Sequence, residues 1–387
     1  MGGIMATSWT ATPERWVTID HSALAHNIDT IARWVKPAQV MAVVKADGYG
    51  HGAVEVAQTA VAAGATWLGT AHVREALALR EAGITAPLVA WLHTINTPFE
   101  AAVAQNIDLG VSGPEIESVA DAARASDLPA RIHLKIDTGL SRNGAVPEEW
   151  DALCRRASEL QQSGIVRVVG VFTHFAVADD PVGESDVDEQ LRVYHEAVET
   201  ARKHGLTVDV RHVANSPALL SRPDTHLDMV RAGVAIYGLS PFADRTAEDL
   251  GLRPVMSFGT TVAHNKPADE GTGVSYGYSY RVQKPTRLAL IPCGYADGVP
   301  RIAEGAPVWI DGQRYRVTGR IAMDQFVVDL HTDREDDATA PVGTTVELFG
   351  AKSGIASDAW AQACGSINYE IVTRIGARVP RVHQQWV

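Results

Sequence analysis

Short apolar runs rich in β-branched residues alternate with amphipathic segments from about residue 38 to residue 240. The runs are QVMAVVKA, TWLGTA, APLVAWLH, IDLGVS, ARIHLKID, VRVVGVFTHF, VDVRHVANS and DMVRAGVAI, eight in all. Each is apolar nearly throughout, the pattern of parallel strands covered on both faces. Between them the period becomes helical. In PEEWDALCRRASELQQSG the residues Trp150, Leu153, Cys154, Ala157 and Leu160 recur at helical spacing. In DEQLRVYHEAVETARKHG, Leu191, Tyr194, Val198 and Ala201 do the same, and Gly205 is the stop. Ser112 and Glu115 have capping-box spacing ahead of another helix, and SALAHNIDTIARWV forms a helix before the first strand. Eight strands, each followed by a helix, predict an α/β fold with an N-terminal (β/α)8 TIM barrel. An open doubly wound sheet is the alternative. It calls for GxGxxG after its first strand, and VVKADGYGHG is not that motif.

The texture changes near residue 250. Helical periodicity fades, and RLALIPCGYADG, PVWIDGQRYRV, QFVVDL and TTVELFG read as strands, with Asp311-Gly312 as a hairpin turn. One helix is expected around SDAWAQACG, and HTDREDDATA reads as an exposed loop. The expected organisation is a barrel over 14–250 and a mainly-β C-terminal domain over 251–387.

The chain has 387 residues, 46% of them apolar, and a net charge of -12. That charge disfavours a nucleic-acid partner, which needs Lys and Arg against phosphates, and an anionic membrane surface. Cys154, Cys293 and Cys364 are too widely spaced for a disulfide framework or a zinc site, so they read as core filler in a reduced, cytoplasmic protein with no metal. The N-terminus lacks the basic and apolar regions of a secretory signal. Gly2 invites a myristoylation reading, but Ala6 stands where Ser or Thr is wanted, and Met5 is an alternative start. No apolar run reaches the ~18–20 residues of a membrane span.

Barrel enzymes place their chemistry at the carboxyl ends of the strands. The first such end carries Lys45, after MAVV. Burial there lowers an amine's pKa and makes it nucleophilic, as Schiff-base chemistry requires, although a lysine snorkelling out of the strand end fits position alone equally well. The seventh strand runs into Asn215-Ser216-Pro217, and the eighth ends at Arg231-Ala232-Gly233-Val234. Loops after these strands commonly bind phosphate in barrels. Ser216 offers a hydroxyl, and Gly233 permits close backbone approach. With Lys45 they suggest a phosphorylated aldehyde cofactor at the barrel mouth. Lys135 and Arg142 after the fifth strand and His174 after the sixth add polar groups to the same rim.

The segment AVVKADGYGHG resembles the pyridoxal-phosphate attachment motif of the alanine racemase family. The likeness continues in the family's order through HLKIDTGLSRNG, GVFTHFAVAD, HVANSPALL, MVRAGVAIYGLSP, VSYGYSY, GYADG, GRIAMDQ and INYEIVTRIGARVPR, and the later segments look most like actinobacterial members. The resemblance implies a pyridoxal 5′-phosphate-dependent isomerase that interconverts L- and D-alanine and supplies D-alanine for peptidoglycan. It implies that Lys45 bears the cofactor and is one of two acid/bases. Tyr49, Ser216, Gly233, Val234 and Tyr369 would hold the phosphate, and Asn215 would also belong to the cofactor site. Arg231 would face the pyridine nitrogen, with His174 behind it, and Arg142 would bond the phenolic oxygen. Lys135 matches a lysine that is carbamylated in many members, which would fix Arg142. Tyr276 matches the second base, contributed by the other subunit of a homodimer. A tyrosine phenol ordinarily titrates near ~10, so cations must tune it, and His174 and Arg231 are the candidates. Met323 and Asp324 would bind the substrate's carboxylate side, also across the interface. Asp179, Tyr295, Arg301 and Arg320 match residues along the substrate access path. One departure is visible: Ala377 stands where many members have a tyrosine before RVPR, which bears on the packing of Tyr276 and the width of the inner gate.

Three other readings compete. A decarboxylase of ornithine or diaminopimelate type shares the layout but carries an EPGR-like motif and a catalytic cysteine in the β domain, neither of which is found. A non-catalytic single-barrel cofactor-binding protein would lack the β domain and Tyr276. A racemase of serine or of broad specificity differs by a few kcal/mol at most in its pocket.

Overall fold

The structure is a computed structural model and describes residues 13–384. Gly2, Met5 and Ala6 lie outside the described residues. Two compact units are present: one runs Asp20–Val255, and the other joins residues 13–19 to Met256–His383.

The first strand, β1 (Arg15–Asp20), pairs antiparallel with a strand of the second unit, Arg15 opposite Thr260. The sequence reading starts the barrel at residue 14. Residues through Ile19 instead belong to the β unit, because their backbone groups are satisfied by that sheet.

In the unit Asp20–Val255, helix α1 (His21–Trp34) opens with the Asp20 carboxylate accepting the amides of Ser22 and Ala23. Eight parallel strands follow: β2 (Gln39–Val43), β3 (Trp67–Thr70), β4 (Leu88–Ala90), β5 (Asp108–Val111), β6 (Ala130–Lys135), β7 (Val166–Phe172), β8 (Val210–His212) and β9 (Met229–Ala232). They are hydrogen-bonded in the order β8-β7-β6-β5-β4-β3-β2-β9. The ring closes between β9 and β8, where Asp228 N donates to Arg211 O (3.2 Å) and Arg231 N to Ala214 O (2.9 Å). Met41, Trp67, Val89, Val169, Val210 and Met229 fill part of the interior. The expected (β/α)8 barrel is observed.

Its helices are α2 (Ala53–Ala62), α3 (Val73–Glu81), α4 (Phe99–Ala104), α5 (Glu115–Ser126), α6 (Pro147–Gln162), α7 (Glu184–Lys203) and α8 (Ser216–Ser221). Trp150, Leu153, Cys154, Ala157 and Leu160 are all buried on α6, as their spacing predicts. On α7, Tyr194, Val198 and Ala201 are buried, while Leu191 is half-buried at the edge of the face. The capping box at Ser112 forms by half: Glu115 accepts Ser112 N (2.6 Å), but the serine hydroxyl donates to Asn143 instead.

The second unit holds β10 (Met256–Thr261), β11 (His264–Ala268), β12 (Gly273–Val274), β13 (Tyr280–Arg281), β14 (Thr286–Ile291), β15 (Pro307–Ile310), β16 (Gln313–Thr318), β17 (Phe326–Asp329), β18 (Thr345–Phe349) and β19 (Arg381–Gln384). The main sheet runs β11-β14-β17-β16-β15-β18-β10-β1-β19, and a separate ladder joins β12 to β13. Asp311 and Gly312 both have positive φ (43° and 90°) in the two-residue turn between β15 and β16, the primed hairpin expected of Asp-Gly. Two helices are present where one was expected: α9 (Ser357–Cys364) and α10 (Asn368–Thr373), the second too short for its periodicity to stand out. Among the described residues, no helix is long and apolar enough to cross a membrane.

Candidate active site

Lys45 stands two residues past the end of β2, after Val44, and the chain then makes a left-handed turn. Ala46, Asp47, Gly48 and Tyr49 all have φ between 52° and 61°. Three of these are not glycine, and each left-handed L-residue costs about 1 kcal/mol or more, so the turn needs external ties. Glu75 on α3 supplies one: its Oε1 accepts Ala46 N (2.7 Å), while its Oε2 accepts Ala71 N (2.9 Å) and His72 N (2.9 Å) at the start of its own helix and so fixes the carboxylate in place. Asp47 accepts Ala53 N (2.9 Å) at the start of α2. Held there, the Lys45 amine has its pKa lowered, first by burial and then by the cation Arg142, with Glu75 opposing.

Tyr49, turned inward by the same loop, is buried, with its ring 5.8 Å from Lys45 Nζ. Its hydroxyl faces Gly233: a Cβ there would lie 2.7 Å from Tyr49 Oη and 3.8 Å from Ser216 Oγ. Ser216 Oγ accepts the amides of Gly233 (3.0 Å) and Ala235 (3.3 Å), so its own proton points elsewhere. Asn215 is the N-cap of α8, its side chain accepting Ala218 N (3.2 Å). Val234 is buried beside this cradle in a short 3-10 turn, Val234–Tyr237. The turn after β2 and the loops after β8 and β9 thus bring two hydroxyls and a glycine together.

Arg231 projects from β9 and is almost fully enclosed. Nη1 donates to His212 O (2.7 Å), and Nη2 donates to Thr173 O (2.8 Å), Val213 O (3.1 Å) and His174 Nδ1 (3.1 Å). Burial pulls its pKa down to about 10, which still leaves it charged at neutral pH. His174 is held well below the usual imidazole range, first by burial and then by the neighbouring cations Arg231, Arg142, Lys135 and Lys45. It is therefore neutral, with its Nδ1 lone pair toward Arg231. Lys135, at the end of β6, is pulled to about 8 by burial and by Arg231 and Arg142, against Asp137 and Glu115. Arg142 sits on the loop after β6, shaped by Asp137 accepting Gly139 N (3.0 Å) and Ser141 N (3.1 Å). So many cations around one rim make a receptor for anionic groups.

Asp179 lies on the loop after β7 and lines a cavity of about 170 Å³ with Arg222, Phe242 and Arg245.

The remaining expected residues stand on the β unit. Tyr276 is 69% exposed in a turn whose Ser275, Gly277 and Tyr278 have positive φ. Ser275 Oγ donates to Arg320 O (2.6 Å), and the Arg320 guanidinium lies over Gly277, 3.2 Å from a Cβ built there. The Met323 and Tyr295 loops are laced together by backbone bonds, Tyr295 N to Ala322 O (3.1 Å) and Ala296 N to Met323 O (2.9 Å). Met323 and Asp324 are exposed, and Asp324 pairs with Arg378 (2.8 Å), which also meets the buried Asp297 (2.9 Å) opposite Arg15 (2.7 Å). Arg301 and Ala377 are exposed, and Tyr369 is half-buried on α10.

Sequence reasoning missed several residues of the barrel site. Trp91 packs over Gly69 and Gly110, where a Cβ would come within 2.6 and 2.8 Å of it. Gln190 ties the loops after β6 and β7, donating to Thr138 Oγ1 (3.0 Å) and His174 O (3.3 Å) and accepting Ala176 N (3.0 Å). His133 and His212 lie inside the barrel, 3.0 Å apart. The glycines opposite Trp91 were the available signal. Gln190 and the histidines carried none beyond being polar on apolar faces.

Residues 19–241 match the model of the alanine racemase N-terminal domain, and residues 255–383 match that of the C-terminal domain. The chain is 48% identical to alanine racemase of Thermobifida fusca over 370 residues, 94% of this chain and 96% of the relative. It is 48% identical to that of Streptomyces coelicolor over 375 residues, 94% of each chain. Among solved structures, alanine racemase from D-cycloserine-producing Streptomyces lavendulae superposes with a TM-score of 0.94 at 45% identity, covering 97% of this chain and 98% of that one. The Streptomyces coelicolor enzyme gives 0.92 at 47%, covering 96% and 98%. On both its barrel and its β unit, the chain belongs to the alanine racemase family.

Proposed function

We propose that the protein interconverts L-alanine and D-alanine with pyridoxal 5′-phosphate and so supplies D-alanine for peptidoglycan. The observation that carries this is the meeting at one barrel rim of Lys45, its pKa lowered by burial, with Arg231, Lys135, Arg142 and the Tyr49–Gly233–Ser216 cradle. When bound, the cofactor supplies an aldehyde that captures amines and a ring that acidifies the substrate's Cα proton.

The residues present fit that group. Glycine at 233 keeps open the space that a Cβ would fill beside Tyr49 Oη, and two hydroxyls flank it, a donor set suited to phosphate. Tyr49, Ser216, Gly233 and Val234, with Asn215 and Tyr369, would hold the phosphate, and Lys45 the aldehyde carbon. Arg231 is a donor only, so it would suit an unprotonated ring nitrogen, with His174 fixing its far side. Arg142 would bond the phenolic oxygen. Lys135 near a pKa of about 8 keeps a neutral fraction able to add carbon dioxide with loss of one proton. The carbamate so formed would be the anion that two neighbouring arginines call for.

Racemisation removes a proton from one face of Cα and returns one to the other. Lys45 Nζ would hold the proton on one face, and burial, which lowers its pKa, raises the share of free amine able to accept one. Tyr276 Oη serves the other. We take the working form to be a homodimer in which Tyr276, Met323 and Asp324 serve the partner's barrel; the family supports this, and the exposure of Tyr276 agrees with it. Asp179, Tyr295, Arg301 and Arg320 would line the access path. Free cysteines at 154, 293 and 364 support a cytoplasmic setting.

The test is to incubate purified, cofactor-loaded protein with L-alanine and other L-amino acids, including serine, and to separate the enantiomers. An equal mixture of alanine enantiomers is expected, reached faster than with serine. Cofactor-loaded protein that leaves L-alanine unchanged would overturn the reading.

A further inference from the structure

A chain of hydrogen-bonded side chains crosses the barrel interior beneath Arg231. Arg131 grips Asp108 twice, Nε to Oδ1 (2.7 Å) and Nη2 to Oδ2 (3.0 Å). Asp108 Oδ2 lies 3.1 Å from His133 Nε2, and His133 Nδ1 lies 3.0 Å from His212 Nε2. His212 Nδ1 lies 3.4 Å from Arg231 Nη1. Asp108, His133, His212 and Arg231 are all buried. The strands are built for this route. His133 is on β6 and His212 on β8, and between them on β7 stands Gly170, where a Cβ would lie 2.6 Å from His133 Nδ1. Any side chain at that position would obstruct the link.

The two ends dictate where each proton sits. Arg231 only donates. For Asp108, burial pushes the pKa up, but bonds from His133 and Arg131 outweigh it and hold the carboxyl below its ordinary value, so it only accepts. His133 Nε2 must then carry a hydrogen, and a neutral His133 accepts at Nδ1. His212 must donate from Nε2, which leaves its Nδ1 lone pair facing Arg231. A doubly protonated His133 would turn His212 round and set N–H against N–H at the guanidinium.

We propose that Asp108 and His133 are positioning residues for Arg231: the carboxylate sets the tautomers of His133 and His212 in series, and the lone pair so presented locks the guanidinium. Arg231 then has five acceptors, His212 Nδ1 and O on Nη1, and Thr173 O, Val213 O and His174 Nδ1 on Nη2. That Arg231 faces the cofactor rests on the function proposed above; the tautomer series does not.

Side-chain ¹⁵N shifts of the cofactor-loaded protein labelled at histidine report the tautomers directly, with His133→Gln and His212→Gln assigning the signals. Both rings are expected neutral, with the proton on Nε2. A proton on Nδ1 of either ring, or an imidazolium at His133, overturns the proposal. Asp108→Asn is the second arm. Arg131 retains the amide oxygen, the amide NH₂ turns to His133 Nε2, and both rings are expected to switch to Nδ1–H. With that switch, kcat is expected to fall about 10- to 100-fold with KM little changed. Unchanged tautomers and kcat in a folded Asp108→Asn protein would overturn it; if the variant does not fold, the unmutated protein's shifts decide. The expected tautomers in a protein that racemises nothing would leave the relay standing and remove the function. The opposite tautomers in an active racemase would do the reverse.

Discussion

Glu75 accepts the amide proton of Ala46 at 2.7 Å, and Ala46 is the residue after Lys45. One carboxylate thus ties down a left-handed turn and opposes the lowering of the Lys45 pKa. Glu75→Gln leaves one oxygen to serve three amides and removes the charge. It is expected to cost about 2 kcal/mol in urea unfolding, since bonds to a charged acceptor contribute about 1.5–3 kcal/mol each and part survives. Because Glu75 raises the Lys45 pKa, its loss should move amine-reagent labelling of Lys45 in cofactor-free protein to lower pH. An unmoved labelling profile would contradict the electrostatic role.

Gly233→Ala places a methyl carbon 2.7 Å from Tyr49 Oη, and the buried ring must shift. Cofactor affinity is expected to fall tenfold or more, about 1.4 kcal/mol, with the fold retained. Equilibrium dialysis beside circular dichroism separates the two.

Lys135 gives a pH test of stability. Its folded pKa is about 8, against 10.5 ordinarily. Between those values the unfolded chain binds more protons, so stability rises with pH there. The penalty is full below pH 8 and gone above 10.5, and is of the order of 3 kcal/mol. In carbon dioxide-free buffer without cofactor, Lys135→Gln should be more stable than the parent at pH 7, and the gap should close as pH rises through that window. A gap that widens would contradict the assignment.

Tyr276→Phe removes only an exposed hydroxyl. Stability should stay within about 0.5 kcal/mol and cofactor binding should hold, while racemisation falls about 100-fold or more. Parallel loss of cofactor would assign Tyr276 to binding instead.

What the sequence conveys and what it hides follow from how local each signal is. The eight barrel strands announce themselves as apolar runs, and Lys45, Lys135, His174 and Arg231 follow from the rule that polar groups at strand ends share a rim. β1 does not announce itself: its ladder joins Arg15 to Thr260, a pairing that no local pattern carries. Glu75 sits in VREALALRE at the capping position of its own helix, where it takes the amides of Ala71 and His72, and its third partner, Ala46 N, appears only when α3 meets the turn after β2. The left-handed turn is hinted at by Gly48, whereas Ala46 and Asp47 adopt it under tertiary constraint. His133 and His212 each interrupt an apolar run, and their meeting depends on a gap at Gly170, one strand away from both.

Lys45 is proposed as the residue that bears the cofactor. Borohydride reduction of the cofactor-loaded protein, followed by proteolysis and mass spectrometry, tests it most directly. A pyridoxyl label is expected on Lys45, within AVVKADGYGHG, and none on Lys135. A label on Lys135 or another lysine, or none in protein with bound cofactor, would contradict it.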